Sequence, residues 1–282
     1  VNSTLELGTI GQMYNNGDGG WSSIVPTQNL VDTYEMADGL TKEESGSYDP
    51  NHPFAGRDPR MAMTIIYPGM DWNGTVVNTL DKTINGKDNA NYPPSANNAS
   101  KTALTWRKYL DEQYANGIWN TNACPIVIRY AEVLLTYAEA VNELSGPSAD
   151  VYDKLDLIRG RVGMPKVDRE KYASKETLRR LIRRERGVEL AGEGVRRADI
   201  LRWKDDNGKM VAETVLNGVL ERVVGTVNYA ETDPTKRAEI DTNAPATDKK
   251  IEDRVFKVHN RYNPIPQGAI DNNPNLEQNP GY

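Results

Sequence analysis

From Pro125 onward, apolar residues fall at helical spacing. Ile128, Ala131, Leu135, Ala138 and Leu144 lie near one face of a predicted helix that Gly146-Pro147 ends. A second helix follows behind Ser148, a suitable N-cap; Val151, Leu155, Ile158 and Val162 repeat at i, i+4, i+7 and i+11 until Gly163-Met164-Pro165 stops the run. The short link makes the two an antiparallel hairpin. A third helix begins near Ser174, turns Leu178, Leu181, Ile182 and Val188 inward, and breaks around Gly192 and Gly194. A fourth, short one carries Ile200, Leu201 and Trp203.

Before Pro125 the pattern is mostly irregular. One helix is expected from Thr27 to Met36, and a strand-like stretch from Met61 to Tyr67 ends at Pro68-Gly69. Residues 81–100 and 232–250 are dense in turn formers and read as long polar loops, the kind that carry function or move. A helix from Met210 to Leu220 and a last strand around Val255 to Val258 complete the elements. The final segment, NPIPQGAIDNNPNLEQNPGY, holds four prolines and the turn-favouring Asn272, Asn273, Asn275 and Asn279, so it is expected to be non-helical: an extended strap pinned at Ile265, Ile270, Leu276 and Tyr282. The expected fold is therefore mainly α, with helical hairpins of tetratricopeptide type and loop-rich, short-strand insertions. It reads as a single domain, with residues 1–124 loop-rich and ligand-facing, 125–204 a helical-hairpin scaffold, and 205–282 a mixed segment and strap. Hairpins of this kind bury a face by stacking on neighbours, so further repeats are expected upstream.

Composition narrows the function classes. Forty acidic against thirty-four basic residues give a net charge of −6, which argues against tracking nucleic-acid phosphates or gripping anionic lipid. Five arginines between Arg179 and Arg186 interleave with Glu176, Glu185, Glu189 and Glu193 at helical spacing, the pattern of a structural ion-pair network. The single cysteine, Cys124, excludes an internal disulfide and is expected to be buried. No stretch of eighteen apolar residues occurs.

Catalytic chemistry finds little support. His52 and His259 are the only histidines; there is no HExxH, no metal-ligand cluster, no Walker loop, and NNGDGG reads as a flexible loop. We expect no cofactor, no metal and no enzyme activity, a carboxylate pair for glycoside hydrolysis being the weaker alternative. The aromatics carry more information, with fourteen Tyr and five Trp against two Phe. Sugar rings present apolar C–H faces that stack on such rings, and their hydroxyls need polar side chains at the edge. Tyr14 and Trp21 flank NNGDGG, and Tyr67 and Trp72 flank PGMD; these four are the candidate ligand-binding residues. The competing reading makes each a loop anchor packed on the core, as expected for Trp106, Tyr109 and Trp203.

Several segments together resemble one family. RYAEVLLTYAEAVNE (129–143), LDLIRGRVGMP (155–165), ERGVELAGEGVRRADILRWK (185–204), PTQNLVDTYEMADG (26–39), RDPRM (57–61) and the closing PIPQ, NPNL and QNPGY are similar to signatures of SusD/RagB nutrient-binding lipoproteins. Asp156, Val162, Arg197 and Ala198 depart from that pattern. The resemblance implies a SusD-like α-superhelical fold and non-catalytic capture of oligosaccharide at the surface of a bacterial outer membrane. It also implies handover to a SusC-type TonB-dependent transporter, no nucleic-acid partner, and attachment through an N-terminal lipid upstream of this chain. A peptide-binding uptake component and a protein-interaction scaffold are the alternatives. Sugar contacts in the family follow no shared motif, so the four aromatics rest on chemistry and loop position alone.

Overall fold

The computed structural model describes residues 10–121 and 123–282. The chain divides into two compact units, Val1–Gly194 with Glu221–Ile251 and Val195–Leu220 with Glu252–Tyr282, a division that the sequence pattern does not mark. It is mainly helical, with short strand pairs.

In the larger unit the early elements are α1 (Gln28–Thr33), α2 (Pro59–Thr64) and six two-residue strands: β1 (Ile65–Ile66), β2 (Asp71–Trp72), β3 (Thr75–Val76), β4 (Thr83–Ile84), β5 (Lys87–Asp88) and β6 (Thr105–Trp106). The expected strand at Met61 to Tyr67 is thus half helix. Asp58 caps α2 by accepting from the Arg60 N–H, and Pro59 supplies the fixed φ that suits a first helical position. All pairs are antiparallel, β1 with β6 (Ile65 opposite Trp106), β2 with β3 and β4 with β5. This irregular part nonetheless owns a continuous core that includes Tyr14, Val31, Tyr34, Phe54, Ile65 and Leu104. Phe54 and Tyr67 stack at 4.6 Å within it.

Three longer helices form the scaffold. In α3 (Tyr130–Ser145) Leu134, Leu135, Ala138 and Asn142 are buried, and Gly146 ends the helix at φ 80°. In α4 (Ala149–Arg161) the Ser148 hydroxyl accepts the Val151 N–H, and Val151, Leu155 and Ile158 point inward as their spacing requires. In α5 (Lys175–Glu189) Ser174 and Thr177 form a reciprocal capping box, and Leu178, Leu181, Ile182 and Val188 are buried. Helix α3 packs against both others. Its opposite face is apolar and open: Tyr130, Val133, Tyr137 and Leu144 are 72%, 50%, 43% and 85% exposed. Ile128 and Leu144, expected on the buried face, lie on the exposed side, Ile128 ahead of the helix start.

Later in this unit β8 (Gly225–Val227) pairs antiparallel with β9 (Ala238–Ile240). The smaller unit holds α6 (Arg196–Arg202) and α7 (Ala212–Val215), with Ile200, Trp203, Met210 and Ala212 as its core. Residues 210–220, expected as one helix, split into α7 and strand β7 (Gly218–Glu221). The last strand is β10 (Lys250–Arg254), earlier than expected.

The C-terminal segment is not an extended strap. Residues Gln267–Asn272 form helix α8 directly after Pro266, because the seven residues between Pro266 and Pro274 are free of proline and Pro266 itself stands outside the helix. The segment closes on itself: Gln278 accepts from the Ile265 N–H and donates to the Ile265 carbonyl, and the Tyr282 hydroxyl donates to the Tyr262 carbonyl at 2.9 Å. Cys124, expected to be buried, is exposed, in a stretch between the 3₁₀ turn at 118–120 and α3 whose described residues form no regular element. Among the described residues no helix is long and apolar enough to cross a membrane.

Candidate functional site

The glutamate-arginine block of α5 sits at the centre of a charged hub. Arg60 meets Asp58 (2.6 Å), Glu189 (3.0 Å) and Glu185, and Arg159 meets Glu185 (3.0 Å) and Glu35 (2.9 Å). Arg184 reaches Glu35 at 2.9 Å, Arg129 spans Glu189 and Glu193 at 2.6 and 2.7 Å, and Lys108 closes on Glu193. Burial pushes the Glu189 carboxyl upward, yet hydrogen bonds from Arg129 and Arg60 outweigh it and hold the group below its ordinary range. Every acid in this hub has a cationic partner, so no carboxyl is left to act as a general acid. The hub ties α2 and the early loops to α4 and α5. Of the α5 arginines whose spacing predicts a structural network, Arg184 meets Glu35, Arg179 meets Glu143 and Arg186 meets Glu139, so they join this helix to its neighbours.

The loops carry the remaining chemistry. NNGDGG is an ordered turn: Asn15 caps a 3₁₀ turn over Asn16–Asp18, and Gly19 ends it at φ 84°. Asp18 is buried at its centre and accepts from Trp72 Nε1 (2.8 Å), Asn73 Nδ2 (3.2 Å) and Asn15 Nδ2 (2.6 Å). Burial raises the Asp18 carboxyl above its ordinary range, against the pull of those three donors.

This packing decides three of the four candidate aromatics. Tyr14, Tyr67 and Trp72 are 0%, 2% and 3% exposed. The Tyr14 hydroxyl donates to the Asp111 carbonyl at 3.0 Å, and the Trp72 indole is spent on Asp18. Burial drives the Tyr67 phenol up to about 12. Rings with no open face cannot stack on a ligand, so these three are the core anchors of the competing reading. Trp203 is core as expected, whereas Trp106 and Tyr109 are half-buried.

Trp21 is different. It is half-buried, packed against the core, and meets Trp119 edge to face with centroids 5.5 Å apart and planes at 69°. Gly11 makes room for it: a Cβ there would lie 2.6 Å from the ring and 3.1 Å from Ile118. Trp119 stands on the 3₁₀ turn Ile118–Asn120 and is 49% exposed, the one exposed tryptophan among the described residues. The segments bearing the two rings are locked together by the Tyr14–Asp111 contact and by the Asn116 N–H donating to the Asp18 carbonyl at 2.7 Å. Exposed Ser23 and Asn120 lie within two residues of the rings in sequence, and exposed Gln12 and Asn116 lie elsewhere in the same two segments. Sequence reasoning misses Trp119, although a lone tryptophan among turn formers in ANGIWNTN is a usable signal.

No group of three or more metal-ligating side chains assembles among the described residues. The molecule is a helical-pair scaffold, tied by buried ion pairs, that presents aromatic surface on loops. The SusD family model matches residues 2–282, and the chain belongs to that family. It is 29% identical over 214 residues to a SusD-like protein of Formosa agariphila, a match covering 72% of this chain and 37% of that one. A crystal structure of a SusD-like carbohydrate binding protein from Bacteroides fragilis superposes with a TM-score of 0.74 at 32% identity, covering 96% of this chain and 51% of that one. A second SusD-like protein from Bacteroides fragilis superposes with a TM-score of 0.68 at 27% identity, over 97% and 49% respectively. The chain thus spans about half the length of these solved relatives.

Proposed function

We propose that this chain belongs to a non-catalytic glycan-capture protein, and that the Trp21–Trp119 corner is its sugar contact. One observation carries the reading: Trp119 is an exposed indole held beside a second, perpendicular indole, with amide and hydroxyl side chains in the same loops. Such a corner offers an apolar face for the C–H side of a pyranose and polar neighbours for its hydroxyls. A similar fold in a protein described as carbohydrate binding supports it. Family membership supports the wider setting of display on a bacterial outer membrane and delivery of the sugar to a SusC-type TonB-dependent transporter.

Capture followed by release needs neither a perturbed acid nor tight binding. A Kd between about 1 mM and 1 μM, roughly 4 to 8 kcal/mol, suffices. The test is affinity electrophoresis and calorimetry against a glycan panel. Trp119→Ala is expected to weaken binding about tenfold or more while circular dichroism stays unchanged; equal binding by the folded variant refutes the assignment.

A further inference from the structure

The polar surround of the tryptophan corner bears on which saccharides it admits, an inference that rests on the reading of that corner as the sugar contact. The two segments that build it, residues 10–25 and 111–124, contain no lysine, arginine or histidine. Their charged side chains are Asp18, Asp111 and Glu112, all acidic. Asp18 is buried and saturated with donors, while Asp111 accepts from Gln113 (2.6 Å) and Glu112 from the Asn73 N–H (3.1 Å). Among the described residues of the two segments, the exposed polar side chains apart from Asp111 and Glu112 are Gln12, Ser23, Gln113, Asn116 and Asn120, all uncharged.

Amides and hydroxyls both donate and accept, which matches the vicinal hydroxyls of a neutral sugar. A uronate or sulfate ester is acceptor-only and is recognised best by a guanidinium or ammonium group, which these segments do not carry. Asp111 and Glu112 add repulsion of the same sign. We infer that the Trp21–Trp119 corner takes uncharged saccharides and discriminates against uronated and sulfated ones.

The experiment is affinity electrophoresis of the whole chain in gels containing xyloglucan, galactomannan or laminarin on one side and polygalacturonate, alginate or carrageenan on the other. At least one neutral polymer should retard the wild type, Trp119→Ala should abolish that retardation, and acidic polymers should require about tenfold higher concentration or more. Asn120→Arg should gain retardation by an acidic polymer at low salt and lose it at high salt. Trp119-dependent retardation by an acidic polymer as strong as by any neutral one overturns the inference and leaves the corner as the sugar contact. An Asn120→Arg variant that gains nothing also counts against the inference. If no polymer in either set shows Trp119-dependent retardation, the glycan-contact reading itself falls.

Discussion

Arg60 is where one substitution should damage the fold most. Its side chain is 5% exposed and serves three carboxylates that are themselves 1% to 3% exposed: Asp58 through Nε and Nη2, Glu189 through Nη1 at 3.0 Å, and Glu185. Arg60→Met keeps most of the apolar stem and removes the charge. Glu189 then retains Arg129 and Arg161, and Glu185 retains Arg159, but Asp58 loses its ion-pair partner. Removing one member of a buried pair costs about 3–5 kcal/mol, and because two of the acids keep a partner we expect the lower end, about 3 kcal/mol. In thermal terms that is roughly 6–12 °C. The loss should depend on pH with a definite sign. Arg60 is one of the two arginines that hold the Glu189 carboxyl below its ordinary range, so without it that folded-state pKa rises towards the unfolded value. The stability lost is the part present above the unfolded carboxylate pKa, and the loss shrinks as pH falls. Urea unfolding at about pH 7 and about pH 4.5 measures both effects, with Arg169→Met as control. The Arg169 side chain is 52% exposed and pairs with Asp153 at 3.2 Å, so it should cost less than about 1 kcal/mol. A loss below about 1 kcal/mol for Arg60→Met, or the same loss at both pH values, would refute a hub held together by buried charge.

Two further perturbations probe the scaffold and the site. Leu135→Ala empties a fully buried position on α3 and should cost about 2–5 kcal/mol in chemical denaturation, whereas Leu144→Ala, at an 85% exposed position on the same helix, should stay within about 0.5 kcal/mol; similar losses would mean that the open face of α3 is covered in solution. Gly11→Ala places a methyl 2.6 Å from the Trp21 ring, so it should tilt the ring and lower glycan affinity in calorimetry without removing an aromatic group; unaltered affinity would show that the angle between the two indoles is irrelevant to binding.

The helical scaffold was legible because its signals are local. Ser148 and Ser174 cap, Gly146 terminates, and the buried positions of α4 and α5 fall where a period of 3.6 puts them. The interleaved charges of α5 announced the hub, though not its partners Arg60, Glu35 and Lys108, which arrive from α2 and the early loops 85 residues or more away in sequence, a distance that no periodicity spans. Elements shorter than two turns fared worse. Residues 61–67 look like a strand by composition, yet the Asp58-Pro59 start imposes a turn and a half of helix before β1 can begin. The C-terminal segment shows the reverse error: a count of four prolines hides a proline-free window long enough for α8. Proline disfavours helix inside a run and in the residue just before it, but not at a first helical position and not throughout the segment that contains it.

For the candidate site, the aromatic residues to consider were legible in the sequence and the exposure of each ring was not. Tyrosine and tryptophan suit a wet surface because each carries a polar handle, but the same handle lets a ring be buried once an internal partner is found. Tyr14 finds the Asp111 carbonyl and Trp72 finds Asp18, so both rings become walls of the loop core. Trp119 escapes this fate for a geometric reason. On a 3₁₀ turn successive side chains point about 120° apart. Ile118 takes the inward direction, 3% exposed against Trp21, which leaves its neighbour to face solvent. The apolar residue beside Trp119 thereby fixes the direction of its ring, and the packed loop core beneath fixes its position. A ring held this way loses little side-chain freedom when a ligand arrives, which is why the proposed sugar contact at the Trp21–Trp119 corner does not require an enclosed pocket.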